Sequence, residues 1–364
     1  MEFGLSEDQR LMQDSVRRTL EKVSTLERVR VAADAKDAKA NDIWHALVEL
    51  GVPGLIIDEE FGGMGLKLLD AALIAEALGR FVSPVPFIAS AVMAPVALAA
   101  LGSAKQKEAW LPKLANGEAV AGVAISERSS GAREGSGVAA SGGKLSGKAL
   151  FVLDFAAADF YIVGDNAGGL HIVDAKAKGL TKVALTSIDL TRSLGELQFD
   201  KVDADALVSG DAKSGLQRVL DAGRVMLAAD TLGAGWMMID KAVEYAKERK
   251  QFGRVIGSFQ AVKHMCAEMA SEIEPGRSLV WYAAHAFDEL PAEASLMAAH
   301  AKSYMGEVGR FVARTATEVH GGMGFTDLLG LHYWFKRIGL DRQLLGSPER
   351  VRADAAAMQG WGAR

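Results

Sequence analysis

The sequence predicts a mostly helical α+β protein in three blocks, and three observations predict it. Residues 1–118 carry apolar side chains at helical spacing, broken by glycine and proline. Residues 119–208 change to short apolar runs separated by glycine, serine and aspartate, the pattern of a small antiparallel β domain. From 209 to 364 the helical period returns over long stretches, as in a bundle of antiparallel helices. A chain of 364 residues is too long for one ordinary core and has ample apolar surface for several domains.

Each element has its own signal. Ser6 and Gln9 form a capping-box pattern ahead of the stripe Leu11, Met12, Val16, Leu20 and Val23. Asp42 is placed to cap a helix through Leu50, which Gly51 and Pro53 stop. The loop Glu59–Gly65 leads to a helix from Lys67 to Leu78, and the Pro84-Val85-Pro86 break leads to another from Phe87 to Leu101. Ser103 with Gln106 caps a helix to Leu114, and Asn116-Gly117 makes a turn. Strands are expected at 120–125, 137–140, 149–153, 160–163, 170–173 and 194–199. Helix resumes near Gly215, with breaks at Gly253–Gly257, Leu290-Pro291 and Gly321–Gly324. Its clearest stripe is Phe259, Val262, Cys266, Met269 and Ile273, and Pro275 should kink or end that helix.

Composition narrows the function. A formal net charge of -5 gives no basic excess, which argues against nucleic acid or an anionic membrane surface as partner, so any bound phosphate must meet local cations. The single cysteine, Cys266, excludes an internal disulfide and fits a reducing cytoplasm; its place in an apolar stripe reads as a packing thiol. There is no cluster of metal ligands. The polar N-terminus and the short, alanine-rich apolar runs predict neither a signal peptide nor a membrane span.

Two stretches can carry chemistry. In Glu248–Gln260 an arginine, aromatic rings, two glycines and an amide are compacted between two helices. Arg249 in the last turn of the first helix, Gly253 as its stop and Ser258 as cap of the second would suit a flat ligand carrying phosphates. From spacing alone, a solvated arginine and a core phenylalanine read the same way. The second stretch, His320–Phe325, is glycine-rich and would let backbone approach a ligand; a tight interhelical turn gives the same pattern. His320 has no nucleophile or carboxylate placed beside it by sequence, so a general-base role is not supported.

Together these stretches resemble the acyl-CoA dehydrogenase family. Glu248–Gln260 resembles its RKxFG…FQ segment and His320–Phe325 its HGGxGF segment, while Phe3–Arg10 and Glu60–Gly65 match two further family segments in order. The resemblance implies an N-terminal helical domain (1–118), a central antiparallel β domain (119–208) and a C-terminal four-helix bundle (209–364). FAD and an acyl-CoA thioester would lie between the last two. It implies a tetramer in which the arginine-rich segment and the glycine turn of one subunit hold the ADP half of a neighbour's FAD. Arg249 would then meet pyrophosphate, with Phe252, Ile256, Phe259 and Gln260 packed around the cofactor, and Ser126, Glu318, Gly321 and Gly322 beside it. Arg224 would stand on the substrate side, and an electron-transferring flavoprotein would take the electrons.

Departures from the family matter as much. The reaction needs a carboxylate aimed at the α carbon of the thioester. The two places where the family carries that base correspond to Leu345, in Leu344-Leu345-Gly346-Ser347, and Gly223, before Arg224; neither can take a proton. Ala124-Ile125-Ser126-Glu127 keeps the family's Thr/Ser-Glu pattern, but Arg128–Arg133 replaces its Gly-Ser-Asp loop, and Phe151-Val152-Leu153 stands in place of Trp-Ile-Thr. Glu318 and Glu349 stand where amides are usual. The combination resembles the base-less subunits of heteromeric (α2β2) steroid side-chain acyl-CoA dehydrogenases. Two alternatives remain open: a homotetramer with a displaced base among Asp221, Asp230, Glu318 and Glu349, and a non-catalytic scaffold subunit without flavin.

Overall fold

The structure is a computed structural model describing residues 4–35, 40–126 and 135–361. Glu127 and the segment Arg128–Arg133 that distinguishes the sequence lie outside the described residues, as does Phe3. Helix α1 (Glu7–Val23) begins at the expected reciprocal cap, with Ser6 and Gln9 each bonding the other's backbone. Helices α2 (Leu26–Asp34) and α3 (Asn41–Glu49) follow. Asp42 does not cap α3: the cap position is Ala40, without a side-chain bond, and Asp42 accepts two hydrogen bonds from Arg28 at 2.7 and 2.6 Å. An acid in a first helical turn serves the helix dipole and an ion pair together. Helix α4 (Leu68–Arg80) is buried on nearly every side. The stretch from Phe87 forms one continuous helical rod, a widened π turn (Phe87–Met93) passing into α5 (Ala94–Leu101), with Pro95 just inside the junction. A proline cannot donate to the ladder and crowds the carbonyl four residues back, a common cause of local rewinding. Helix α6 (Ala104–Ala115) starts at the Ser103–Gln106 box.

One sheet follows, with strands β1 (Ala121–Ala124), β2 (Gly137–Ser141), β3 (Lys144–Leu153), β4 (Phe160–Gly164), β5 (Leu170–Asp174), β6 (Leu180–Ala184), β7 (Leu194–Asp203) and β8 (Asp205–Leu207). Their order is β6-β7-β3-β1-β4-β5-β8, with β2 on β3. The expectation of a purely antiparallel domain needs one correction, because β1 and β4 pair in parallel, Ala121 opposite Phe160. That pairing joins residues separated by two intervening strands, which local periodicity does not register. Strands β6 and β8 were not expected: β6 is exposed along most of its length and β8 is three residues long. Side chains alternate across the sheet as period two requires. Ile162 faces the helical core, while Tyr161 and Val163 face the sheet's second apolar cluster. Phe160 meets Trp110 of α6 with ring centroids 4.2 Å apart, fastening the sheet to the first helical domain.

The C-terminal section comprises α7 (Ala212–Glu248), α8 (Gln260–Glu289), α9 (Pro291–His320) and α10 (Leu331–Gln343), with α11 (Pro348–Met358) added. Helix α7 is buried all round from Val219 to Gly235 because the N-terminal helices cover one side and the bundle covers the other. It crosses α4 at glycines: a Cβ on Gly233 would lie 1.8 Å from the Glu76 carbonyl oxygen, and one on Gly79 would lie 2.0 Å from that of Asp230. Helix α8 continues through Pro275 rather than ending there. Its neighbours Ile273 and Gly276 are buried, and packing in the bundle offsets the missing hydrogen bond. Among the described residues no helix is long and apolar enough to cross a membrane.

Candidate cofactor and acyl site

Two features stand at different places on the bundle. The first is at the end where α7 and α9 finish. Arg249 is not in the last turn of α7 but just past it, with extended backbone (φ -66°, ψ 124°) that stops the helix by itself. Strands β9 (Lys250–Gln251) and β10 (Arg254–Val255) then form a hairpin whose tip is Phe252-Gly253, at φ +53° and +79°. Two consecutive positive φ angles mark the turn that matches strand twist, so Gly253 serves the hairpin and not the helix stop. Ser258 is likewise not the cap of α8; its hydroxyl donates to the Val255 carbonyl at 2.7 Å, and Phe259 occupies the cap position without a side-chain bond.

The hairpin presents its chemistry outward. Arg249 is exposed, and its guanidinium has no partner among the described residues. Phe252 is 93% exposed and meets Phe259 edge-on at 6.1 Å, while Arg254 stacks over Phe259 at 4.0 Å. Ile256 packs against the core, and Gln260 lies on the surface beside His264. The glycine turn is adjacent in space: His320 stacks on Tyr245 of α7 with centroids 4.7 Å apart. Its Nδ1 is 2.7 Å from the Ala316 carbonyl, and burial lowers its pKa, so His320 is a neutral packing group. Side chains at Gly321 and Gly322 would meet nothing, which leaves their backbone open to a ligand. Glu318 is exposed at the same end. A free guanidinium, open backbone and uncovered aromatic rings fit the diphosphate and flat ring of a dinucleotide.

The second feature is a cleft of about 580 Å³ between the sheet and the bundle. Ser126 and Phe151 form one wall, where the Ser126 hydroxyl donates to the Phe151 carbonyl at 2.9 Å. Loop residues 185–188 form a second wall, and Leu340, Leu344 and Leu345 supply the floor. Behind the floor, Arg192 pairs with Asp341 at 2.9 Å and Asp230 at 3.0 Å, and Arg337 grips Asp230 at 2.8 and 2.7 Å. These buried pairs join the loop before β7, α7 and α10.

Two family models match the chain in order. "Acyl-CoA dehydrogenase, N-terminal domain" covers residues 6–118 and "Acyl-CoA dehydrogenase, C-terminal domain" covers 214–359. Acyl-CoA dehydrogenase IpdE2 of Mycobacterium tuberculosis is 30% identical over 352 residues, 95% of each chain. The chain belongs to the acyl-CoA dehydrogenase family. Among solved structures, a variant of the Tcur3481-Tcur3483 steroid ACAD superposes with a TM-score of 0.88 at 28% identity, covering 97% of this chain and 98% of that one. The ChsE4-ChsE5 complex from Mycobacterium tuberculosis gives 0.90 at 25% identity over 100% of both. The family acts on acyl-CoA as a flavoprotein oxidoreductase, and the structural match extends to all three blocks.

Against that family frame, the positions of the carboxylates become informative. Leu345 and Gly223, the two positions at which the resemblance would expect the family's base, face each other. Leu345, 1% exposed, lies over Gly223 so closely that a Cβ there would be 2.5 Å from Leu345 Cδ1 and 2.8 Å from Met93 Sδ. Arg224 does not line the cleft; its Nε donates to the Leu345 carbonyl at 3.1 Å and its Nη2 to Asp354 at 2.9 Å. Asp221 is buried elsewhere, accepting from Gln217 and Ser295, with its pKa raised by burial. Asp230 is buried too, but the guanidinium groups of Arg337 and Arg192 outweigh its desolvation and hold its pKa low. Glu349 points to Arg342 and has a pKa lowered to about 2, chiefly by the Ser347 hydroxyl. No described carboxylate lines the cleft. The sequence reading missed Lys302, whose ammonium is buried beneath the same floor, and the Arg192 network. Their partners lie between 38 and 149 residues away along the chain, a distance that leaves no local signal.

Proposed function

We propose that this chain takes part in FAD-dependent α,β-dehydrogenation of an acyl-CoA thioester as one subunit of a heteromeric enzyme, its partner supplying the base. The observation that carries the reading is the cleft floor, where Leu345 packed on Gly223 leaves no described carboxylate to accept the α proton. The displaced-base alternative would need Asp221, Asp230, Glu318 or Glu349 in the cleft, and none of them lines it. FAD would supply the acceptor for the hydride from the β carbon. Arg249, the backbone at Gly321 and Gly322, and the exposed faces of Phe252 and Phe259 would hold its ADP half across a subunit boundary. Ile256 and Gln260 would support that grip from the helix start, and Ser126 belongs to the wall that would meet the ring. The steroid ACAD supports an acyl-CoA from lipid or steroid breakdown, and the ChsE4-ChsE5 complex supports a partner chain; the proposed place of action is the cytoplasm, in keeping with the single cysteine. An electron-transferring flavoprotein is the proposed acceptor.

Purifying the chain alone and coexpressed with a related acyl-CoA dehydrogenase subunit tests this. The expected result is little flavin absorbance alone, and a yellow α2β2 assembly by mass that oxidises acyl-CoA. A yellow, active chain on its own would sink the heteromer reading, and a colourless protein with every partner would favour a scaffold.

A further inference from the structure

We infer that Lys302 and Arg224 are positioning residues which together hold the stretch Arg342–Gly346, the end of α10 and the loop that follows it, and so fix Leu345 over Gly223 as the floor of the cleft. Lys302 is on α9 and Arg224 on α7, and both reach the stretch in which α10 ends and the connection to α11 begins. The Lys302 ammonium donates to the carbonyls of Arg342 at 3.0 Å and Gly346 at 3.1 Å. Arg224 Nε donates to the carbonyl of Leu345, the residue between them in the clamp, at 3.1 Å. Three carbonyls of a five-residue stretch are therefore held by two buried cations. Lys302 is 2% exposed and Arg224 is 1% exposed.

The expense of this arrangement marks its role. A buried ammonium is strongly disfavoured unless it is compensated, and Lys302 has no carboxylate ion pair among the described residues. Its nitrogen donates to the carbonyls of Arg342 and Gly346, and ordering them is the role this placement serves. The loop needs ordering, because Leu345 sits at φ +54°, a left-handed conformation that a leucine adopts only under constraint. Arg224 is in turn steadied by Asp354, which also pairs with Arg350 on the cleft rim. The shape of the floor is thus set by backbone contacts that do not depend on the side chain at 345. This goes beyond the heteromer reading and does not require it, since it concerns only how the floor is held.

Site-specific alkylation tests it on the full chain. In Leu345→Cys, iodoacetamide labelling is followed by peptide mass, with the native, half-buried Cys266 of α8 as internal reference. Adding Lys302→Met should raise labelling at position 345 about tenfold or more, through local opening of the loop, and leave Cys266 unchanged. Lys302→Gln, which keeps donors, should give an intermediate rate. Equal rates at 345 with and without Lys302, or a parallel rise at Cys266 that reports general loosening, would overturn the assignment. Where Lys302→Met does not fold, Asp354→Ala supplies the same comparison by releasing Arg224; a several-fold rise confined to 345 supports the clamp, and no rise refutes it.

Discussion

Replacing Lys302 with methionine should change stability in a pH-dependent way whose size follows from its burial. Desolvation pushes the Lys302 ammonium down to about 7; Asp341 and Glu349 oppose that shift, while Arg224 and Arg342 reinforce it. In the unfolded chain a lysine titrates near 10.4. Below pH 7 both states are protonated and the folded state carries the whole cost of the buried charge. Between pH 7 and about 10 the unfolded chain binds the proton and the folded chain does not, so stability conferred by this site rises with pH, by about 1.4 kcal/mol per unit at full slope. From pH 6 to pH 9 the wild type should therefore gain about 2–3 kcal/mol relative to Lys302→Met. The hydrogen bonds to Arg342 and Gly346 contribute an offset to that comparison, so the slope and not the intercept carries the information. Urea unfolding of both proteins at pH 6, 7.5 and 9, at one protein concentration, measures it. Curves that run parallel across this range would mean that Lys302 keeps its proton throughout, and that the ammonium is better compensated than its two carbonyl partners suggest.

Arg249→Ala should lower FAD retention of the coexpressed complex with little change in melting temperature, because the Arg249 side chain is exposed and its guanidinium has no partner among the described residues, while its backbone hydrogen bonds to Tyr245 and Ile256 survive the substitution; unchanged flavin content would remove it from the cofactor site. Asp154 accepts a hydrogen bond from the Ala89 amide and has its carboxyl pushed up to about 6, mainly by burial. The unfolded carboxyl ionises near 3.9, so stability from this site falls as pH rises from 4 to 6, by about 2–3 kcal/mol in all. Asp154→Asn should accordingly gain on the wild type over that interval, and denaturation curves with the opposite trend would show that the native acid is already ionised. Gly233→Ala should cost at least about 2–3 kcal/mol, since the new methyl meets the Glu76 backbone and not a movable side chain; a wild-type melting temperature would contradict the α4–α7 contact.

How much of this was legible in the sequence depended on distance along the chain. Ser6 with Gln9 and Ser103 with Gln106 were readable because a capping box is complete within four residues. Asp42 misled for a related reason: its residue type fits a cap, but Arg28, fourteen positions away, provides a better partner. Gly253 was given to a helix end when a two-residue hairpin used it, an alternative that Phe252 hides because it is an unusual residue at positive φ, and Ser258 turned out to close the short turn after that hairpin by bonding the Val255 carbonyl. The parallel β1–β4 pair, the Arg192–Asp341 ion pair and the Leu345–Gly223 contact all join distant segments, and no periodicity encodes them. The absence of a carboxylate at 345 and 223 was legible, whereas the fact that these two positions fill each other's space was not.

That mutual filling bears on where the chain does its work. Around the cleft the buried polar groups are largely spent on one another: Ser126 on Phe151, Arg224 on Leu345 and Asp354, Lys302 on two carbonyls, Arg192 and Arg337 on Asp230 and Asp341. A group already satisfied gains little from a ligand, because binding exchanges one hydrogen bond for another. The hairpin end has the opposite character. The Arg249 guanidinium is unpartnered among the described residues, the glycine turn leaves its backbone uncovered, and Phe252 and Phe325 are 93% and 81% exposed. Apolar rings beside a free cation lower the free energy only when something covers them. The unmet demands of this chain therefore lie at the hairpin and glycine turn, and it is there that mutations should separate cofactor retention and assembly from folding.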